Sequence, residues 1–118
     1  MNEPFRRGDI VLAVLSGDYG KPRPALVVQS DLLNETHASA VLCPISSVIT
    51  GLAAFRIHLP ASEETGLRVE SEVMVDKLTA AKRERIRRRV GHVPLERLAV
   101  VDRALQLLLS LGPTGSNL

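Results

Sequence analysis

Three histidines, one cysteine and a dense run of arginines are the side chains best equipped for chemistry in this 118-residue chain. His37, His58 and His92 are dispersed, with no second His or Cys at the spacing of a metal site. Cys43 lies in the apolar run Val41-Leu42-Cys43, where a thiol is an inert core group rather than a nucleophile. Being the only cysteine, it also excludes an internal disulfide framework and a multi-Cys zinc site. No glycine-rich loop is built to cradle phosphate, and no Ser sits in a nucleophile elbow. A Ser-His-Asp triad stays open by residue order alone; composition and spacing stop at a small α+β domain with a basic segment, and no metal or cofactor is expected.

The formal net charge of +2 hides an uneven distribution. Lys82, Arg83, Arg85, Arg87, Arg88 and Arg89 are opposed locally only by Glu84, a local balance of +5, which leaves −3 for the remainder. Such a run is either a solvated surface strip or a polyanion-binding face. With only Phe5, Tyr19 and Phe55 as aromatics, the core must be aliphatic, and the composition argues against nucleic-acid binders that stack bases on rings, as RRM sheets do. No apolar run approaches the roughly 20 residues needed to span a membrane, and the first residues lack a signal-peptide pattern, so a soluble cytoplasmic protein is expected.

The elements that must position any site are mostly strands. Asp9 to Leu15 is apolar on both faces, Pro24 to Gln29 and Ala40 to Ile45 are further buried strands, and Ala54 to Leu59 alternates with Phe55, Ile57 and Leu59 inward. Ser30 is placed to cap a short helical turn through Asp31, Leu32 and Leu33. Glu72 to Leu78 reads as a strand with Val73, Val75 and Lys77 on one face and Met74, Asp76 and Leu78 on the other. Thr79 to Arg85 reads as a helical turn and Arg87 to Val93 as a last strand. From Pro94 the period becomes helical, and Gly112 and Pro113 are the stop signals. That helix has more apolar surface than one sheet face needs, so either a loop or a second subunit should cover it. The pattern predicts a mainly β, α+β fold: a small twisted or barrel-like sheet covered by a terminal helix. One compact unit is expected over 1–118, with its core at about 6–111 and a flexible tail at 112–118.

Four segments, in order, resemble the MazF/PemK toxins, the ribosome-independent endoribonucleases of toxin–antitoxin pairs. They are Arg7-Gly8-Asp9-Ile10-Val11, Arg23-Pro24-Ala25-Leu26-Val27-Val28-Gln29-Ser30-Asp31, Val41-Leu42-Cys43-Pro44-Ile45-Ser46-Ser47, and Ser71-Glu72-Val73-Met74-Val75-Asp76-Lys77-Leu78. Val90-Gly91-His92-Val93 and the closing helix fit as well. The resemblance implies an SH3-like barrel with a C-terminal helix, assembled as a homodimer. It implies metal-independent cleavage of single-stranded RNA at a short sequence in mRNA, by attack of the ribose 2′-OH on the adjacent phosphate. The products are a 2′,3′-cyclic phosphate and a 5′-OH, and a cognate antitoxin blocks the groove.

By the same resemblance Arg23 is the catalytic arginine, whose fork can stabilise the phosphorane. Ser46 matches the hydroxyl residue after Pro-Ile and can bond a phosphate oxygen or orient the 2′-OH, with Ser47 as a substitute. Asp76 matches an acid proposed as general base in some relatives; it would need a raised pKa, and an ion pair with Lys77 or an Arg is the competing reading. Tyr19, Lys21, Ser47, Lys77, Arg83 and Arg87 are candidate RNA contacts. Three departures stand out: a short loop at Ser16 to Pro22, Met74 where some relatives carry an Arg, and Lys77 in place of Gln. A CcdB-like gyrase-binding toxin is the main alternative, and the absence of Trp weighs against it. A nuclease-inactive barrel that binds RNA or protein is the third reading.

Overall fold

The computed structural model describes residues 4–52 and 54–112. The expected tail therefore lies, from Pro113 onward, outside the described residues. Among the described residues seven strands run as β1 (Asp9–Val14), β2 (Pro22–Val27), β3 (Ser39–Ser46), β4 (Arg56–Leu59), β5 (Ser71–Met74), β6 (Thr79–Lys82) and β7 (Ile86–His92). A one-turn helix α1 (Asp31–Asn34) follows β2, and α2 (Leu95–Leu109) closes the described chain. As expected, Ser30 caps α1, its side chain accepting from Leu32 N.

All pairings are antiparallel, in the order β4-β5-β3-β2-β1-β7, with β6 also on β3. β6 and β7 are joined only by the 3-10 turn Arg83–Arg85, which brings the two ends of the β6-β3-β2-β1-β7 run together. The strands curl round an interior of Val11, Ala13, Ala25, Val27, Ala40, Leu42, Ala81 and Ile86. Four of these eight are alanines; such small side chains let a barrel close tightly. A second core lies on the other face, where Ile10, Leu26, Cys43, Ile45, Leu59 and Val73 meet Val101 and Ala104 of α2. This is why β1 is apolar on both faces: Ile10 serves one core, and Val11 and Ala13 the other. Burial pushes the Cys43 thiol up to about 12, so it stays protonated and inert.

Several boundaries differ from the sequence reading. Thr79 to Arg85 is not a helical turn: Thr79–Lys82 is a strand on β3, and only Arg83–Arg85 turns. The alanine-centred run Thr-Ala-Ala-Lys has weak strand propensity, and its tertiary partner overrides it. The strand expected over Glu72 to Leu78 stops at Met74, and Val75–Lys77 forms a 3-10 turn. The register gives the reason. From Ser46↔Glu72 to Leu42↔Thr79 the chain takes four steps along β3 but seven along its partner. Three residues must leave the ladder, so Val75 turns inward while Asp76 and Lys77 are exposed. Helix α2 ends at Leu109, with Ser110 in the left-handed region at φ 54°, ahead of the expected Gly112 stop. Leu95 and Leu107 of α2 stay mostly exposed, so among the described residues no loop covers the excess apolar surface.

Two ties fix the rim. Arg7 donates from Nε to Val28 O at 3.0 Å and ion-pairs with Asp102 of α2. The 60–66 loop lies against β7, where His92 N donates to Glu64 O at 2.9 Å. A Cβ on Gly91 would stand 2.3 Å from Thr65 O, so only glycine permits that backbone approach.

Candidate functional site

An open groove of about 710 Å³ lies at one end of the barrel. Its polar lining includes Asp18, Arg23, Ser46, Ser47, Arg68 and Lys77, three cations against one acid. Val48, Leu67, Val69 and Met74 supply apolar wall. Arg23 comes from β2 and Ser46 from the end of β3. Continuing the Ala25↔Pro44 register by two residues on each strand sets Arg23 opposite Ser46. Two rigid strands, rather than loops, therefore hold the pair.

Arg23 is half exposed, and among the described residues its only ion pair is a loose one, Nε to Asp18 Oδ1 at 3.8 Å. Its fork remains available to an incoming anion. Ser46 Oγ accepts from Val48 N at 3.0 Å. That bond fixes the hydroxyl oxygen and leaves its proton free to be donated to a ligand. Lys77 reaches the groove because the extruded 3-10 turn carries it out of the sheet. Ser47 follows Ser46 along the same wall.

The remaining sequence candidates lie elsewhere. Asp76 does not line the groove; both its oxygens are taken by Arg56, from Nε at 2.9 Å and Nη2 at 3.2 Å. The Arg56 hydrogen bonds hold the Asp76 carboxyl below the usual carboxylate range and push the guanidinium up in turn. This is the opposite of the raised pKa that a general base requires, and it matches the ion-pair reading with an Arg. Tyr19 stands fully exposed at a loop tip with φ 53°, and Lys21 is exposed beside it; neither lines the groove. Arg83 lies 4.7 Å from the Phe5 ring centroid and donates to Asn34 O, which engages it away from the groove. Arg87 is exposed at a bulge of β7, where the partner of β1 skips from Arg88 to Ile86.

Sequence reasoning missed Glu72, Arg56 and Arg68. Glu72 is 2% exposed, yet its carboxylate accepts from Thr50 N, Thr50 Oγ1 and Gly51 N at 2.9–3.0 Å. The Gly51 and Thr50 backbone donors outweigh burial and hold it below the usual carboxylate range. The available signal was a lone acid inside an otherwise apolar strand, Ser71-Glu72-Val73-Met74. Arg56 was visible only as an outward residue of an alternating strand, and its partner lies 20 positions away. Arg68 sits in a loop with no pattern to mark it. No group of three or more potential metal ligands occurs among the described residues, and no described helix is long and apolar enough to cross a membrane.

Comparison with known proteins agrees with this geometry. A family model described as a PemK-like, MazF-like toxin of type II toxin–antitoxin systems matches residues 6–109. The chain is 37% identical over 108 residues to a probable endoribonuclease MazF of Mycolicibacterium smegmatis, covering 91% of this chain and 98% of that protein. It is 32% identical over 116 residues to endoribonuclease MazF9 of Mycobacterium tuberculosis, covering 91% and 98%. Among solved structures, a MazE–MazF crystal structure from Deinococcus radiodurans superposes with a TM-score of 0.77 at 26% identity, covering 94% of this chain and all of that one.

Proposed function

Since the chain belongs to the PemK-like, MazF-like toxin family of type II toxin–antitoxin systems, we propose that it is an endoribonuclease that cuts single-stranded RNA without the ribosome or a metal. The reading rests on one observation above all: Arg23 and Ser46, from neighbouring strands, meet in a groove with an excess of positive charge. In the reaction the ribose 2′-oxygen gives up its proton to water as it attacks the adjacent phosphorus, the bond to the 5′-oxygen breaks and that oxygen takes a proton from water, leaving a 2′,3′-cyclic phosphate and a 5′-OH. The phosphorane carries extra negative charge, which the Arg23 fork stabilises. Ser46 donates its free proton to a non-bridging oxygen, and Lys77 adds a point charge. Asp76 holds Arg56 and the turn that presents Lys77, rather than accepting the 2′-proton.

The same reading gives a homodimer, formed over the leucines that α2 leaves exposed, a cognate antitoxin that occludes the groove, and work in the cytoplasm. Arg87 and Arg88 guide the RNA backbone. The test is incubation of the purified protein with a long unstructured RNA in EDTA. Discrete fragments ending in cyclic phosphate are expected. Intact RNA together with inhibited gyrase supercoiling would overturn the reading in favour of a gyrase-binding toxin.

A further inference from the structure

The groove wall after Ser46 is an unusual loop. Val48, Ile49 and Leu52 are 68%, 50% and 63% exposed, so their apolar side chains do not anchor it in either core. Hydrogen bonds within the segment, Val48 N to Ser46 Oγ and Leu52 N to Thr50 Oγ1, shape it without attaching it to anything. Among the described residues, the hydrogen bonds that tie residues 47–51 to another strand all end on one side chain, the buried carboxylate of Glu72. Glu72 is also the cross-strand partner of Ser46 on β5. A chain of named contacts therefore runs from the Glu72 oxygens to Thr50 and Gly51, back along the loop to Val48 N, and from there to Ser46 Oγ.

We infer that Glu72 is a positioning residue for RNA cleavage: its buried carboxylate fixes the 47–51 loop, and through Val48 N it sets the Ser46 hydroxyl against the phosphate that Arg23 holds. This rests on the RNA-cleaving reading of the groove. A carboxylate suits the task because it offers acceptors only, and three donors converge on it. Glu72→Met keeps the length of the side chain but removes every acceptor, so the N–H groups of Thr50 and Gly51 and the Thr50 hydroxyl lose their partner. The loop must then turn away, and misplacing a reacting group by about 1 Å can cost on the order of 100-fold in rate. Substrate binding through Arg23 and Lys77 is untouched, so the loss falls on kcat.

The experiment is a double-mutant cycle between Glu72 and Ser46, read as kcat and KM on a short RNA that the wild type cuts. Glu72→Met should lower kcat at least about 10-fold with KM within about threefold, while circular dichroism and light scattering match the wild type. In a Ser46→Ala background the same change should add less than about twofold, because the hydroxyl it positions is gone. Thr50→Val, on an exposed side chain that cannot unfold the barrel, should give a smaller kcat loss that also vanishes beside Ser46→Ala. It carries the test if Glu72→Met fails to fold. A wild-type rate retained in the folded Glu72 variant, or in Thr50→Val, overturns the inference. So does an equal loss in both backgrounds, which would mark a general structural role. Failure of the wild type to cut RNA is a separate result and refutes the functional reading instead.

Discussion

Replacing Arg23 by Ala separates chemistry from stability. The diester phosphate gains about one negative charge on the way to the phosphorane. At about 4 Å and an effective dielectric near 20, one guanidinium charge stabilises that increment by about 4 kcal/mol. Arg23 is 49% exposed, which admits water and roughly halves the figure. The expected loss in kcat/KM is therefore between about 30-fold and 1,000-fold. The cost to folding is small. Among the described residues the side chain has one ion pair, at 3.8 Å, and its removal leaves no buried partner; loose exposed pairs contribute about 0–1 kcal/mol. The melting temperature should fall by less than about 5 °C. Single-turnover cleavage of a labelled RNA beside a thermal melt measures both. Arg23→Lys should recover only part of the rate, since an ammonium lacks the fork. Cleavage within threefold of wild type, in a folded Arg23→Ala protein, would refute the assignment.

Acid should unfold the protein through its anchored carboxylates. Asp31, Glu72 and Asp76 are held below their ordinary values of 3.8 and 4.5, so the unfolded chain takes up protons first. Their stabilisation is present above that range and is lost as pH falls through it; urea midpoints should hold steady from about pH 7 to 5 and then drop, less steeply in Asp76→Asn. A midpoint that rises on acidification would contradict the sign. Gly91→Ala forces a methyl within 2.3 Å of Thr65 O and 2.5 Å of Glu64 O, and should cost about 1–3 kcal/mol in urea unfolding; no loss would mean the loop does not lie against β7. Neutralising Arg87 and Arg88 together should flatten the salt dependence of RNA affinity by about 1.4 in log–log slope, with single-turnover cleavage at saturating protein unchanged. A cleavage defect at saturation would move these arginines into the reaction.

How much was legible depends on the range of the interaction that decides each residue. β1, β2 and β3 were readable because burial on both faces writes itself as continuous apolar runs. Ser30 was readable because capping is local. The Thr79–Lys82 strand was not, because its four residues take their conformation from β3, some 40 positions earlier. The break after Met74 was equally hidden: period-2 alternation continues through Val75, Asp76 and Lys77, and only the pairing of β3 with two successive strands shows that three residues must be extruded. That same break decides the site. It sends Lys77 to the groove and Asp76 to Arg56, a partner that no spacing rule connects to it. Arg23 and Ser46 were found by motif, whereas their juxtaposition is a matter of register. Glu72 looked like an anomaly in an apolar strand until the loop it binds was in view.

The pairing of β1 with β7 has a consequence for how the protein is made. Asp9 finds its partner only at His92. A ribosome adding about 5–20 residues per second leaves β1 without that neighbour for about 4–17 s. Through that interval the barrel cannot close, and the sequence-distant pairing sets a slow final step. Arg23 and Ser46 emerge first, and Glu72 and Lys77 reach them only once β5 and the turn after it have been made. A nascent chain thus carries an unassembled groove until β7 has been made.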